Sequence, residues 1–186
     1  MKVILILLVI LVPIRMAVAR RICPNVPHTS APTICSNVCD TKYLYEHCMD
    51  VMRLGGMDLS PSHREEATVY TILTANLTLD AFGDTLDDMR IQIQQNTSLS
   101  SPDRDVYKGC MDDYSDASNS LHLVVCPALC NCLFTNLDRY MSSIDSLERC
   151  RDRIMWPNIP PLYDKFILDR NKLVMAYLFG KSLAGY

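Results

Sequence analysis

Nine cysteines and four histidines are the side chains through which this 186-residue chain could do chemistry. Three of the thiols crowd together in Cys126-Pro127-Ala128-Leu129-Cys130-Asn131-Cys132, a spacing at which thiolates bind zinc. In an oxidising compartment the same thiols would instead be consumed as disulfides, and the start of the chain favours that reading. His28, His47, His63 and His122 belong to no recognisable nucleophile or metal motif. There is no Gly-x-Ser-x-Gly, no His-Glu-x-x-His and no phosphate-cradling glycine loop. Asp84 with Asp87 and Asp88, and Asp112 and Asp113 with Asp116, are acidic runs at helical spacing. They lack the loop and turn glycine of a calcium site and read as solvated helix faces. The chain is therefore expected to act by binding, with no enzymatic activity, no metal and no cofactor.

The positioning elements begin with the N-terminus. Met1-Lys2 is followed by an apolar run over residues 3–12, then Pro13 and the small-x-small site Ala17-Val18-Ala19. This is the pattern of a secretory signal peptide over residues 1–19, and the run is too short for an ordinary membrane span. Cleavage after Ala19 would leave 167 residues, one domain's worth. Losing the two positive charges Lys2 and Arg15 would take the formal net charge from −3 to −5. A mildly acidic chain with no basic block is a poor partner for nucleic acid or anionic lipid, and no later stretch is apolar enough to hold the processed chain in a membrane. All nine cysteines lie beyond residue 19. Nine is odd, so at least one thiol is free or joins another chain, which makes a disulfide-linked dimer an open outcome.

Periodicity predicts helices throughout. Residues 20–34, with Pro24, Pro27 and Pro32, read as an irregular leader that Cys23 and Cys35 could close into a loop. Cys39 and Cys48, nine positions apart, could staple a short helical hairpin ended by Gly55-Gly56. Ser60-Pro61 and a Ser62…Glu65 capping box predict the next helix start. Beyond it Ile72, Leu79, Leu86 and Ile93 recur every seventh residue, with Ala75, Phe82 and Met89 between them, the spacing of a bundle seam. Pro102 starts a helix whose stripe is Val106, Cys110, Ala117, Leu121 and Val124, with Tyr114 beside it, and Pro127 interrupts it. A further apolar pattern runs through Leu129, Leu133, Leu137, Met141, Ile144 and Leu147 to Cys150. Residues 156–161 read as a linker, and Phe166, Leu173, Tyr177 and Gly180 mark the last helix. The expectation is an all-α fold: an up-down four-helix bundle with an N-terminal helical hairpin, filling residues 20–186 as one disulfide-stapled domain. Cys110 and Cys150 suit a cross-link between neighbouring helices.

Asn76-Leu77-Thr78 and Asn96-Thr97-Ser98 are glycan acceptor sequons. Asn96, at a predicted helix end, is the better placed, whereas Asn76 falls mid-helix beside the seam.

Cys110-x-x-x-Tyr114-x-Asp116-Ala117-x-x-x-Leu121, closed by Cys150 after Met141-Ser142-Ser143-Ile144, resembles the helix signature of the plant invertase and pectin methylesterase inhibitor family. The proline-bearing linker and the ending Ala176-Tyr177-Leu178-Phe179 are also similar, so that the resemblance covers essentially the whole processed chain. It implies two disulfides, Cys39–Cys48 and Cys110–Cys150, although Cys35 competes with Cys39 for Cys48. Cys23, Cys35, Cys126, Cys130 and Cys132 exceed the family's usual four. The resemblance also implies a secreted inhibitor of the plant cell wall or apoplast that covers the active-site cleft of a carbohydrate-active enzyme. Members that block invertase are associated with a Pro-Lys-Phe tripeptide. This chain has no such tripeptide, and Asp164-Lys165-Phe166 near the last helix does not substitute for it, so pectin methylesterase is expected ahead of invertase as the partner. The competing expectation is a secreted helical structural or receptor-binding protein without inhibitory activity.

Overall fold

The computed structural model describes residues 23–135, 137–155 and 159–184. The expected signal peptide and its cleavage site lie outside them. Six helices dominate: α1 (Ala31–Val38), α2 (Lys42–Leu54), α3 (Ala67–Gln95), α4 (Ser101–Leu123), α5 (Leu137–Ile154) and α6 (Pro160–Leu183). Two short strands, β1 (His28–Thr29) and β2 (Glu65–Glu66), pair antiparallel and tie the leader to the start of α3.

Helices α3 to α6 form a closed ring of four neighbours, each antiparallel to the next. Phe82 meets Tyr114 edge-on at 5.4 Å, and farther down α3 the Ile93 carbonyl accepts from Arg104 near the start of α4. Cys110 is bonded to Cys150, and seven residues on, Ala117 accepts from Ser143 at 2.9 Å. Tyr140 lies against Gly180, whereas Glu148 takes a hydrogen bond from Arg170. Thr85 donates to Asp169, closing the ring between α3 and α6. In each pair the residue numbers run in opposite directions, which is the up-down bundle with α1 and α2 packed on it as a hairpin.

The local causes are plain for most of these elements. Ser100 caps α4 by accepting from the Asp103 N–H at 3.2 Å, with Pro102 in the first turn, where its missing N–H costs nothing. Thr41 caps α2 in the same way, and Gly56 follows its end at φ 72. Gly55 is a close approach: a Cβ there would stand 2.6 Å from Leu73 of α3. After α4 the backbone widens into a π-helical turn over Val124–Ala128 at Pro127. A 3-10 turn over Leu129–Asn131 follows and ends at Cys132, a non-glycine residue at φ 60.

Several expectations are corrected. Residues 31–38 are helical, because Ser30 caps α1 and Pro32 falls in its first turn, where proline begins a helix. Cys23 does not close a loop with Cys35: it is bonded to Cys132, 109 residues away. The Ser62…Glu65 box does not form, because Glu65 and Glu66 are held in the strand pair and the Ala67 N–H bonds to the Pro27 carbonyl at 3.0 Å, so that α3 starts only at Ala67. The apolar pattern from Leu129 to Cys150 holds at Leu129, Leu147 and Cys150 but not at Leu133, which precedes α5, or Met141, both exposed; on α5 the inward side is Tyr140, Ser143, Ser146, Leu147, Cys150 and Ile154. Small serines here let α5 approach α4 closely enough for the Cα atoms of Cys110 and Cys150 to stand 4.6 Å apart.

Replacing both Cys110 and Cys150 by serine is expected to lower the unfolding free energy by about 4 kcal/mol, the chain-entropy value for a loop of this length. Urea unfolding followed by circular dichroism reads this directly. An unchanged midpoint would show that the bond adds nothing to the helix packing.

Candidate functional site

Two of the buried carboxylates, Asp113 and Asp169, organise the polar interior of the bundle. On α4, Asp113 is 3% exposed. Its two oxygens accept from Arg149 Nε at 3.0 Å and Arg153 Nε at 2.7 Å, both from α5. Arg149 also reaches Asp116 at 3.0 Å and Ser146 at 3.1 Å. Gly109 leaves room for this arrangement: a Cβ there would stand 3.0 Å from the Arg153 side chain. Two charge-assisted bonds offset the desolvation of Asp113 and add a second fastening one helical turn from the Cys110–Cys150 bond. The expectation that residues 112–116 form a solvated acidic face is thus corrected at Asp113, which points into the helix interface and is neutralised there.

On α6, Asp169 is 4% exposed. Its Oδ2 accepts from the Thr85 hydroxyl at 2.6 Å and from the Tyr114 hydroxyl at 3.2 Å, and Lys172 approaches Oδ1 at 3.9 Å. One carboxylate thereby joins three helices of the ring. Burial raises its pKa against the opposing pull of Thr85, Lys172, Tyr114 and Lys165. Burial, followed by the Asp169 charge, also pushes the Tyr114 hydroxyl well above its usual value, so that it remains a proton donor. Above this floor lies a cavity of about 170 Å³ lined by Ala81, Asp84, Thr85, Lys165, Leu168 and Lys172 together with Asp169. Lys165 is ion-paired with Asp88 at its edge.

Neither cluster pairs a nucleophile with a base. The histidines are dispersed: His28 on β1, His47 on α2, His63 between Asp58 at 3.7 Å and Glu65 at 3.4 Å, and His122 exposed in the last turn of α4. What the arrangement can do is hold four helices in fixed register and present a polar cavity on one face.

The residues singled out from sequence fall as follows. Cys110 and Cys150 are bonded to each other. Cys48 is bonded to Cys35, not to Cys39 as the resemblance implied. The physical reason is the added helix α1, which brings Cys35 on its inner side against α2 and buries it fully, whereas Cys39 caps the far end of α1. Cys39 is a half-buried free thiol 4.0 Å from the Met175 sulfur, and burial followed by Asp40 raises its pKa. With Cys132 bonded to Cys23, the thiol trio loses one zinc ligand; the Cys126 side chain lies outside the described residues. Asn76 faces solvent, although its position suggested a seam contact. Asn96 is half-buried, its Oδ1 accepting from the Ser98 N–H and hydroxyl. In the Asp164-Lys165-Phe166 stretch, Phe166 is fully buried.

Sequence reasoning missed Asp169, Thr85 and the role of the Tyr114 hydroxyl. A signal existed: Thr68, Thr71, Thr74, Thr78 and Thr85 recur at helical spacing, and all are buried. Thr71 and Thr78 donate to the carbonyl one turn back, and Thr85 donates to Asp169, so each meets its hydrogen-bonding needs inside the core.

Compared with models of known protein families and with curated proteins, the chain matches none.

Because the raised Asp169 pKa means that the folded chain holds this proton more tightly than the unfolded chain, its contribution to stability is full below the ordinary aspartate value. That contribution is lost as pH rises through the folded value. Asp169→Asn should therefore flatten the fall in stability that sets in as pH rises above the ordinary aspartate value of about 4. Urea midpoints measured across that rise in pH test this, and a slope equal to that of the unaltered chain would contradict it.

Proposed function

We propose that this chain is a secreted proteinaceous inhibitor that docks on a plant cell-wall carbohydrate-active enzyme, pectin methylesterase in preference to invertase, and excludes substrate from its cleft. The observation that carries the reading is the arrangement of the α4 pattern. Cys110, Tyr114, Ala117 and Leu121 are all fully buried on one face, and Asp116 is outside on an ion pair with Arg149. These are the residues through which the chain resembles that inhibitor family, and here they serve packing, which agrees with a protein whose scaffold is fixed and whose surface does the work. A fixed scaffold lowers the ordering penalty of binding, and an interface of standard size would bury about 1,200–2,000 Å². Among the described residues, three disulfides suit an oxidising compartment and no helix is long and apolar enough to cross a membrane.

The test is direct. Added to pectin methylesterase and to invertase, the processed, oxidised chain should slow the first at micromolar concentration or below. Failure to slow either enzyme would remove the inhibitor reading.

One observation favours the second reading, a helical structural or receptor-binding protein. Cys39 is unpaired and only half-buried, so it can link two chains. A covalent dimer on non-reducing electrophoresis, together with no inhibition, would favour that reading.

A further inference from the structure

The cavity between α3 and α6 holds polar groups that the bundle itself leaves unmatched. Asp169 is 4% exposed, and its Oδ2 is taken by the Thr85 and Tyr114 hydroxyls. Among the described residues its Oδ1 accepts no hydrogen bond: Lys172 Nζ stands at 3.9 Å, beyond hydrogen-bonding distance. A buried carboxylate oxygen and a partly buried ammonium thus face each other across a gap the width of one atom. An ionised carboxylate only accepts and an ammonium only donates, so a single atom that joins them must do both, which is the property of a hydroxyl. An oxygen about 2.8 Å from each would close the gap.

The rest of the lining repeats this mixture. Asp84 and Lys165 border the same cavity, and the Thr85 oxygen, which gives its proton to Asp169, keeps lone pairs to accept with. Leu168 and Ala81 add an apolar wall. The charges nearly cancel. With Asp88 on Lys165 at the edge, the carboxylates of Asp84, Asp88 and Asp169 stand against the ammoniums of Lys165 and Lys172. The cavity is within one charge of neutrality whether Asp169 is ionised or not. It has no positive excess with which to hold a phosphate or a sugar acid, and among the described residues no cluster of three His, Cys, Asp or Glu could hold a metal ion. A volume of about 170 Å³ is far more than the roughly 10–15 Å³ that admits one water, and the space between helices of a bundle is a common place for a ligand.

We propose that this cavity binds a neutral polyhydroxylated ring, either a free monosaccharide or the terminal unit of a glycan chain. One hydroxyl bridges Asp169 Oδ1 and Lys172 Nζ, others reach Asp84, Lys165 and the Thr85 oxygen, and the C–H face of the ring lies on Leu168. The site stands independently of the inhibitor reading.

The experiment is an NMR titration of the ¹⁵N-labelled, processed, oxidised chain with glucose, galactose, cellobiose and lactose, and in separate arms with galacturonate and inorganic phosphate. At least one neutral sugar should give saturable shifts confined to residues 81–85 and 165–172, with a Kd of about 1–10 mM. Equal affinity for mono- and disaccharide identifies a free sugar as the ligand, and tighter binding of a disaccharide identifies a glycan end. Lys172→Met should weaken binding at least about tenfold, and Asp84→Ala, on the exposed side of α3, at least about threefold. Asp112→Asn, an exposed carboxylate on α4, is the control and should match the unaltered chain, and helix content is checked for each variant by circular dichroism. The proposal is overturned if no neutral sugar shifts those residues, if phosphate or galacturonate binds more tightly than every neutral sugar, or if sugar binding survives the Lys172 and Asp84 variants unchanged.

Discussion

The contact between α4 and α5 is the constraint on which the rest of the structure depends. It is fastened three times along its length: by the Cys110–Cys150 bond, by Asp113 between Arg149 and Arg153, and by Ser143 donating to the Ala117 carbonyl. All three require close approach, and two of them rest on a small residue. Gly109 admits the Arg153 side chain, and Ala117 faces Ser143. Once these two helices are fixed, Tyr114 projects from α4 to the ring centre, where its edge meets Phe82 and its hydroxyl meets Asp169. That places α3 and α6 relative to the fastened pair.

The interior is therefore partly polar by construction. Asp169, Thr85 and Tyr114 answer one another across three helices, and a sliding helix would break a buried hydrogen bond as well as apolar packing. Tyr140 is the counterexample. Its hydroxyl is buried with no hydrogen-bond partner among the described residues, and its ring fills the space left by Gly180, where a Cβ would stand 2.5 Å away. Apolar shape alone locates that contact. A core held in both ways is stiff.

The bundle was legible because its signals are strong and local. Pro102 after Ser100, the Gly55-Gly56 stop, and the seven-residue recurrence of Ala75, Phe82 and Met89 each act within a turn or two, and all three of those seam residues are buried. The other row, Ile72, Leu79, Leu86 and Ile93, is only half-buried, because threonines occupy part of the inward side of α3. Hydrophobicity could not reveal that, since it counts Thr as polar whether or not its hydroxyl bonds to the preceding turn. Cysteine pairing was legible only where two helices of known order face each other, as at Cys110 and Cys150. Cys23–Cys132 spans 109 residues and depends on the position of the strand pair, and Cys35 took Cys48 from Cys39 because Pro32 begins a helix that read as a loop. Asp169 and Asp113 look in sequence like any other helical carboxylates. Only the packing of α3 to α6 shows them to be enclosed.

Amide hydrogen exchange on the oxidised chain under native conditions tests most directly the claim that the α4–α5 contact is the foundation of the fold. If so, the amides of residues 110–117 and 143–150 should exchange last, only through global unfolding, and those of α1 and α2 should exchange earlier through local opening. Exchange of residues 110–117 and 143–150 as fast as that of the hairpin would contradict the account.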